Sequence, residues 1–459
     1  SAHVLCYAFD LFYKMYEEEG YNSSEIPELI LTKNLFGVDI DERAAQLAGF
    51  ALMMKGRERQ RRFFSKKITI NIQSFENAES YPKFENAKVF GSLIEVSKKD
   101  VDAIIVDKGS LFYERDFRLK NQAQLLANKY DIVVTNPPYL NQKYMEKNLK
   151  EFISSKYSDY KTDLYSCFIY RINSFLKQDG IAGLVCPYAW MFLSSYSKLR
   201  NWFLDNNLIN NLVQLEYNAF PSAGLPICTF TYRNNKEQHL MNSSFVRLSD
   251  FRGSDNQPIK LLEAIKNKSV SYFHISNQSN FKKISGSPIA YWIGENTIAC
   301  FEKFTPLRDV SKPFQGMTSS NNVRFLRFFH EVDIQDFSDK GEKNKKWQAY
   351  NKGGNYRKWY GNNDYLIDWE DDGASIKDFT STLPQGTSVR VKSSEHFFKK
   401  NITWSALGGT SFGARRGTKL SIFDVSGSSV FPENNWEFIL GFLNSKITHY
   451  LMNVLNPTL

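Results

Sequence analysis

Two consecutive prolines constrain the first half of this chain more than any other feature. Residues 130–135, Tyr-Asp-Ile-Val-Val-Thr, are rich in β-branched side chains and read as a strand. Asn136-Pro137-Pro138-Tyr139 follow at once. Proline has no N–H for a β-ladder and fixes its own φ, so the strand must stop here. The tetrapeptide therefore sits at the carboxyl end of a strand, where α/β sheets carry their functional groups.

The residues around it repeat the pattern. Residues 35–41 read as a short buried strand ending in acids, and Asp41 caps a strong helix over 43–55. A second strand is expected at 68–72, charged helical sequence over 98–129 and polar helical sequence over 141–157. An apolar helix over 162–176 ends near Asp179-Gly180. Strands follow at 181–187, 209–216 and 228–232, with a helix at 199–208. This alternation predicts an α/β layer fold with a mainly parallel sheet. Residues 236–285 are polar and read as a connector. From 286 to 459 short β-like runs and Gly-rich turns predominate, and no long helix pattern appears before 436–455. The expected domains are thus 1–235 and 286–459, the second of mixed character.

Composition removes several classes. No run of about 18 apolar residues exists, so no membrane span is expected. Asp10, Lys14 and Glu17-Glu18-Glu19 are incompatible with a signal peptide. The five cysteines form no CxxC or Cys/His cluster, which leaves no case for a disulfide framework or a metal site. Free thiols in a reducing cytoplasm are the expectation. The net charge of +9 permits a polyanionic partner without requiring one. Residues 55–67 hold seven Lys/Arg against Glu58 alone and read as an extension of the preceding helix, either a solvated face or a phosphate contact.

Asn136-Pro137-Pro138-Tyr139 is the motif with chemistry. A proline-rich turn is the plain reading. The functional reading is methyl transfer to an amide- or aniline-like nitrogen. Such a nitrogen delocalises its lone pair and must pyramidalise to attack. Acceptors placed against its two N–H groups favour that geometry and stabilise the developing charge. The Asn136 side-chain carbonyl supplies one acceptor and the Pro137 backbone carbonyl the other. Pro137 and Pro138 hold the backbone without further ordering at the reaction step. Tyr139 offers a flat face for a planar base. Asp39, at the end of its own strand, is placed to accept ribose hydroxyls, or else serves the helix N-terminus with Asp41.

These residues resemble those of the γ-class amino-methyltransferases acting on adenine N6. The resemblance covers most of residues 1–232. Gly37-Val38-Asp39-Ile40-Asp41 is similar to the family's second cofactor motif, which implies Asp39 on the ribose and Ile40 beside the adenine of S-adenosyl-L-methionine. Asn136 to Tyr139 match its catalytic motif letter for letter. Thr162-Asp163-Leu164-Tyr165-Ser166-Cys167-Phe168 resembles the next motif and implies Phe168 against the cofactor adenine, with Asn136 also in the cofactor site. Phe220-Pro221 is similar to the aromatic that sandwiches a flipped base opposite Tyr139. Gly91-Ser92 stand where the family's third motif usually has an acid, so no residue is assigned there. A more specific resemblance is to the PglX methyltransferases of BREX phage-defence systems. It rests on residues 37–55, Phe90-Gly91-Ser92-Leu93-Ile94 and the stretch 316–325.

That resemblance implies a Rossmann-like class I methyltransferase sheet and a target-recognition domain from about 286. It also implies that the first strand and Gly-rich cofactor loop are largely missing, with residues 1–5 as their tail, and that the second domain is truncated too. The implied partners are double-stranded DNA with a flipped adenine and other phage-defence proteins, with no membrane. Candidate DNA contacts in the second domain are Asn322, Arg324, Arg327, Lys352, Arg357 and Lys358, with Arg415 and Arg416 in a loop over 413–417. Two alternatives stay open: methylation of a protein glutamine or RNA, and a non-catalytic DNA-binding or partner-docking module.

Overall fold

The strand ahead of the double proline runs Tyr130–Thr135 in the computed structural model of the chain. The structure describes all residues except 1, 66, 221–223, 236–240, 343, 385, 407–411, 418–419 and 456–459. The chain divides into two units, Ser1–Lys282 and Lys283–Leu459.

The first unit holds two sheets. Strands β1 (Phe36–Asp39) and β2 (Asn71–Ser74) form a parallel pair. Six others form a sheet in the order β3-β4-β6-β5-β7-β8. They are β3 (Tyr130–Thr135), β4 (Leu176–Pro187), β5 (Leu208–Gln214), β6 (Ile227–Arg233), β7 (Asn242–Arg247) and β8 (Phe273–Asn277). Among the described residues no ladder joins the two sheets. They share one core instead, in which Val38, Phe75, Leu119, Leu126, Tyr130 and Val133 pack together. The Phe36 and Tyr130 rings meet at 5.4 Å between centroids.

The edge of β3 away from β4 is unpaired. Its Ile132 and Val134 are 59% and 54% exposed, unusual for a strand at the middle of an α/β unit.

Three expectations need correction here. The six-stranded sheet is mixed, not mainly parallel: β4 and β5 both run antiparallel to β6. No crossover helix separates β5 from β6, so the chain returns antiparallel. Residues 236–285 are more than a connector, since β7 pairs with β5 and β8 with β7. Their half-polar composition is that of strands near a sheet edge. The helix over 162–176 is Leu164–Phe175, and β4 begins at once with Leu176. Asp179, at φ +62°, bends β4 at that point without ending it.

Helix Glu42–Arg59 begins where Asp41 caps it, accepting from Arg43 N–H at 2.7 Å and Ala44 N–H at 3.2 Å. The basic run extends this helix only as far as Arg59. Beyond it Phe63 turns back into the core and lies against Gly56, where an added Cβ would meet its ring at 2.5 Å.

The second unit is built on two more sheets. One has the order β10-β13-β12-β11, with β16 also on β12: β10 (Leu326–Phe328), β11 (Phe337–Ser338), β12 (Trp347–Asn351), β13 (Tyr365–Asp368) and β16 (Ile422–Phe423). The other has the order β15-β14-β17-β9: β9 (Pro313–Phe314), β14 (Ile402–Trp404), β15 (Ala414–Arg416) and β17 (Ser429–Val430). The helical pattern at 436–455 is two helices, Trp436–Leu443 and Lys446–Leu455. Helix Glu370–Ser381 comes earlier than the sequence pattern suggests, with Asp371, Asp372 and Gly373 all left-handed. That local break hides the periodicity.

Candidate active site

Thr135 pairs with Leu184, so Asn136 leaves the sheet beside Val185. The Tyr139 hydroxyl lies 2.7 Å from Asn136 Oδ1 and 3.1 Å from the Val185 carbonyl oxygen. It has one proton and two acceptors. Burial, with Cys186 and Cys228 nearby, raises its pKa well above the ordinary tyrosine value, so the proton stays in place at neutral pH. Pro137 is buried, Asn136 exposed and Tyr139 half-buried. The Pro137 carbonyl takes part in none of the hydrogen bonds that tie the loop down.

Those bonds run to the next helix. Asp163 caps helix Leu164–Phe175 in a capping box with Ser166. Its Oδ1 also accepts from Leu140 N–H at 3.0 Å. Main-chain bonds from Leu164 N–H to Leu140 O and from Gln142 N–H to Thr162 O close the junction. Burial raises the Asp163 pKa, and the Leu140 and Tyr165 N–H groups oppose that rise. The same helix reaches the segment around Gly91. Arg171 is buried, and its fork donates to Ser92 O at 2.9 Å and Ile94 O at 2.7 Å. Phe168 packs partly buried beside Leu93 and Cys167.

Gly91 sits at φ +54° and ψ −138°, a region almost reserved for glycine. A Cβ there would come 3.1 Å from Ile40 Cγ2. Ile40 is exposed and follows Asp39, whose Oδ1 accepts from Asp41 N–H at 3.0 Å. A continuous set of contacts thus links Asp39 and Ile40, through Gly91 and Arg171, to Asp163 and the Asn136 loop. The residues suit the nucleoside half of S-adenosyl-L-methionine: a carboxylate at a strand end, an exposed apolar side chain, and a glycine where a Cβ would crowd it. A cleft of about 800 Å³ lined by Glu42, Gln46, Phe50, Ser74 and Arg118 borders the end of β1, where Ser74 pairs with Asp39, but its lining includes none of these groups.

Phe220 is exposed, and its ring makes no contact with that of Tyr139 among the described residues. Pro221 lies outside them. Sequence reasoning missed the positioning roles of Asp163, Arg171 and Gly91. An arginine inside an otherwise apolar helix was the available signal.

In the second unit Asn322 and Arg324 are exposed on the short helix Asn322–Phe325. The Arg324 guanidinium stands 4.8 Å from the Phe325 ring. Arg327 follows on β10, over Trp347 at 5.6 Å. Lys352 is half-buried, and Arg357 and Lys358 are exposed. Arg415 and Arg416 are not in a flexible loop, because both belong to β15. Arg415 pairs with Thr403 on one side and Trp359 on the other, and is 1% exposed. Its Nη1 donates to Ser405 Oγ at 3.2 Å, and burial lowers its pKa. A guanidinium so enclosed does not reach a phosphate or a base edge. Arg416 is exposed and stands 5.9 Å from the Trp436 ring.

Residues 33–220 match the family model of the Eco57I restriction-modification methylase. The whole chain is 33% identical to the adenine-specific methyltransferase BrxX of Escherichia coli O9:H4 (strain HS). It is 32% identical to the adenine-specific methyltransferase PglX of Lacticaseibacillus casei (strain Zhang). The chain spans 42% of the length of each. Two solved structures share its fold. A nuclease-deletion mutant of the Type ISP restriction-modification enzyme LlaGI, in complex with a DNA substrate mimic, aligns at a TM-score of 0.51 and 12% identity, over 92% of this chain and 37% of that one. The Type IIL restriction-modification enzyme MmeI, in complex with DNA, aligns at 0.50 and 11%, over 95% and 62%. Over its whole length the chain is thus similar to the adenine-specific methyltransferases BrxX and PglX, and over residues 33–220 to the Eco57I restriction-modification methylase family.

Proposed function

We propose that the chain is the catalytic and recognition part of a cytoplasmic DNA adenine-N6 methyltransferase that marks host DNA in a BREX-type phage-defence system. The carrying observation is the Asn136 loop, held at the carboxyl end of β3 by the Tyr139 hydroxyl and by Asp163. Both family relatives named above are adenine-specific methyltransferases.

Bound S-adenosyl-L-methionine supplies an electrophilic methyl group on sulfur. Asp39, Ile40, Asn136 and Phe168 would hold it. The protein's own part is to shape the nucleophile. Asn136 Oδ1 and the Pro137 carbonyl accept the two N–H groups of the adenine amine and draw it toward a tetrahedral geometry. Tyr139 stacks on the flipped ring, with Phe220 as the opposite wall. No strong base is required, because the amine proton becomes acidic as the nitrogen gains charge.

The fold details belong to the same reading. A class I sheet needs one more parallel strand between β1 and β3. The unpaired edge of β3 and its exposed Ile132 and Val134 support that position. Residues from Lys283 onward would read the DNA target, with Asn322, Arg324, Arg327 and Arg416 as contacts.

The test is sequencing of modified adenines in cells carrying the full gene. A site-specific adenine mark that disappears with Asn136→Ala is expected. No mark on any DNA from the full gene would sink the reading.

A further inference from the structure

The loop over residues 353–362 of the second unit carries exposed aromatic surface that the fold does not use. Tyr356, Trp359 and Tyr360 fall within five residues, and Trp359 and Tyr360 are 53% and 69% exposed. None of the three rings stacks on another aromatic ring among the described residues. Their backbone is nevertheless firmly mounted. Trp359 N–H donates to Ala414 O at 2.9 Å, and Arg416 N–H donates to Trp359 O at 2.9 Å. Lys358 Nζ reaches the Asn444 carbonyl at 3.0 Å, at the end of helix Trp436–Leu443.

The mount is also strained. Trp359 has φ +70°, a left-handed conformation that bulky side chains rarely enter. A residue held there by the fold, with its indole in solvent, is pre-ordered for a contact outside the chain. The charges point to the kind of partner. Arg357 is exposed beside the rings, with Nη1 on the Tyr356 carbonyl at 3.3 Å. Arg416, also exposed, lies on the strand that clamps Trp359. Flat rings flanked by guanidiniums match a nucleic acid, whose bases offer π-faces and whose phosphates offer negative charge.

We infer that Trp359 and Tyr360 form a wedge that stacks on base faces of duplex DNA at a locally opened step, while Arg357 and Arg416 meet the flanking phosphates. This rests on the reading of the second unit as DNA-binding. It adds a contact to base faces where the other candidates address edges and backbone. A rigid wedge gains most where unstacking is cheap, so it favours deformable or mismatched steps.

The experiment titrates the full chain against a labelled random-sequence duplex and against the same duplex with a central two-nucleotide mismatch, over a range of salt. The parent is expected to prefer the mismatched duplex. Trp359→Ala is expected to lower affinity about tenfold, with the salt slope unchanged, and to abolish that preference. Trp359→Phe keeps a ring and is expected to stay within about twofold of the parent. Arg416→Ala is expected to reduce the salt slope by about one. Trp359→Gly relaxes the backbone while removing the ring, so its melting temperature should not fall. A fall would mark the indole as structural and overturn the wedge. Trp359→Ala binding like the parent, while Arg324→Ala weakens binding, would overturn the wedge and leave the DNA reading standing. Absence of duplex binding by the parent at any salt would remove the DNA reading, and the wedge with it.

Discussion

The Tyr139 hydroxyl lies 2.7 Å from Asn136 Oδ1, so the ring assigned to the base also holds the amide assigned to its amine. While the hydroxyl donates to Asn136 Oδ1, the second lone pair of that oxygen stays free for substrate. Ring and hydroxyl are therefore separable. In the full-length enzyme, Tyr139→Phe should lower kcat by less than about tenfold, since stacking is kept. Asn136→Ala should lower it about 100-fold or more, with the melting temperature unchanged. Tyr139→Ala should fall between them. Labelled-methyl transfer to DNA measures all three, and equal losses for Phe and Ala at 139 would contradict the assignment.

Gly91→Ala tests the cofactor side. The new Cβ would meet Ile40 Cγ2 at 3.1 Å on a backbone only glycine adopts easily. A stability loss of about 1–2 kcal/mol is expected. Affinity for S-adenosyl-L-methionine in the full-length protein should fall with it. Denaturation and calorimetry read the two effects, and unchanged cofactor affinity would remove Gly91 from the site.

Arg171 is buried and spends its guanidinium on Ser92 O, Ile94 O and Ser174 Oγ. Arg171→Met keeps the volume but leaves two carbonyls unpaired. The expected loss is at least about 2 kcal/mol. Arg171→Lys should restore little of it, because a point charge cannot span both oxygens. Urea denaturation of the two variants decides the matter.

Tyr130, Tyr160 and Tyr196 are each pushed up to about 12, chiefly by burial. Their folded values lie above the ordinary 10, so folding favours the neutral phenol. That contribution is complete below pH 10 and is lost as pH rises from 10 toward 12. The first unit should lose stability across this window, and tyrosinate absorbance should appear together with unfolding. Tyrosinate that appears well before unfolding would contradict the burial of these three hydroxyls.

What could be read from sequence followed the range of the interactions. Asn136 to Tyr139 were legible because proline acts locally, ending β3 whatever surrounds it. Asp41 was legible for the same reason, as a cap acts within one turn. Arg415 was not, because its burial comes from pairing with Thr403 and Trp359, distant in sequence. Strands β7 and β8 looked like connector because edge positions tolerate polar side chains. Asp163 and Arg171 act on loops more than twenty and seventy residues away, and no periodicity records such a link.

If a strand fills the gap between β1 and β3, as the proposed function requires, cofactor capture and sheet assembly become linked equilibria. Asp39 ends one sheet and Asn136 the other, and side-chain packing such as the Phe36–Tyr130 contact holds them in place of a ladder. Packing of this shared core is non-directional, whereas a paired strand would fix the separation through its ladder. Whatever strand enters that gap sets the reach between ribose and amine. A ligand that spans both ends must, by reciprocity, tighten the strand's hold to the same degree.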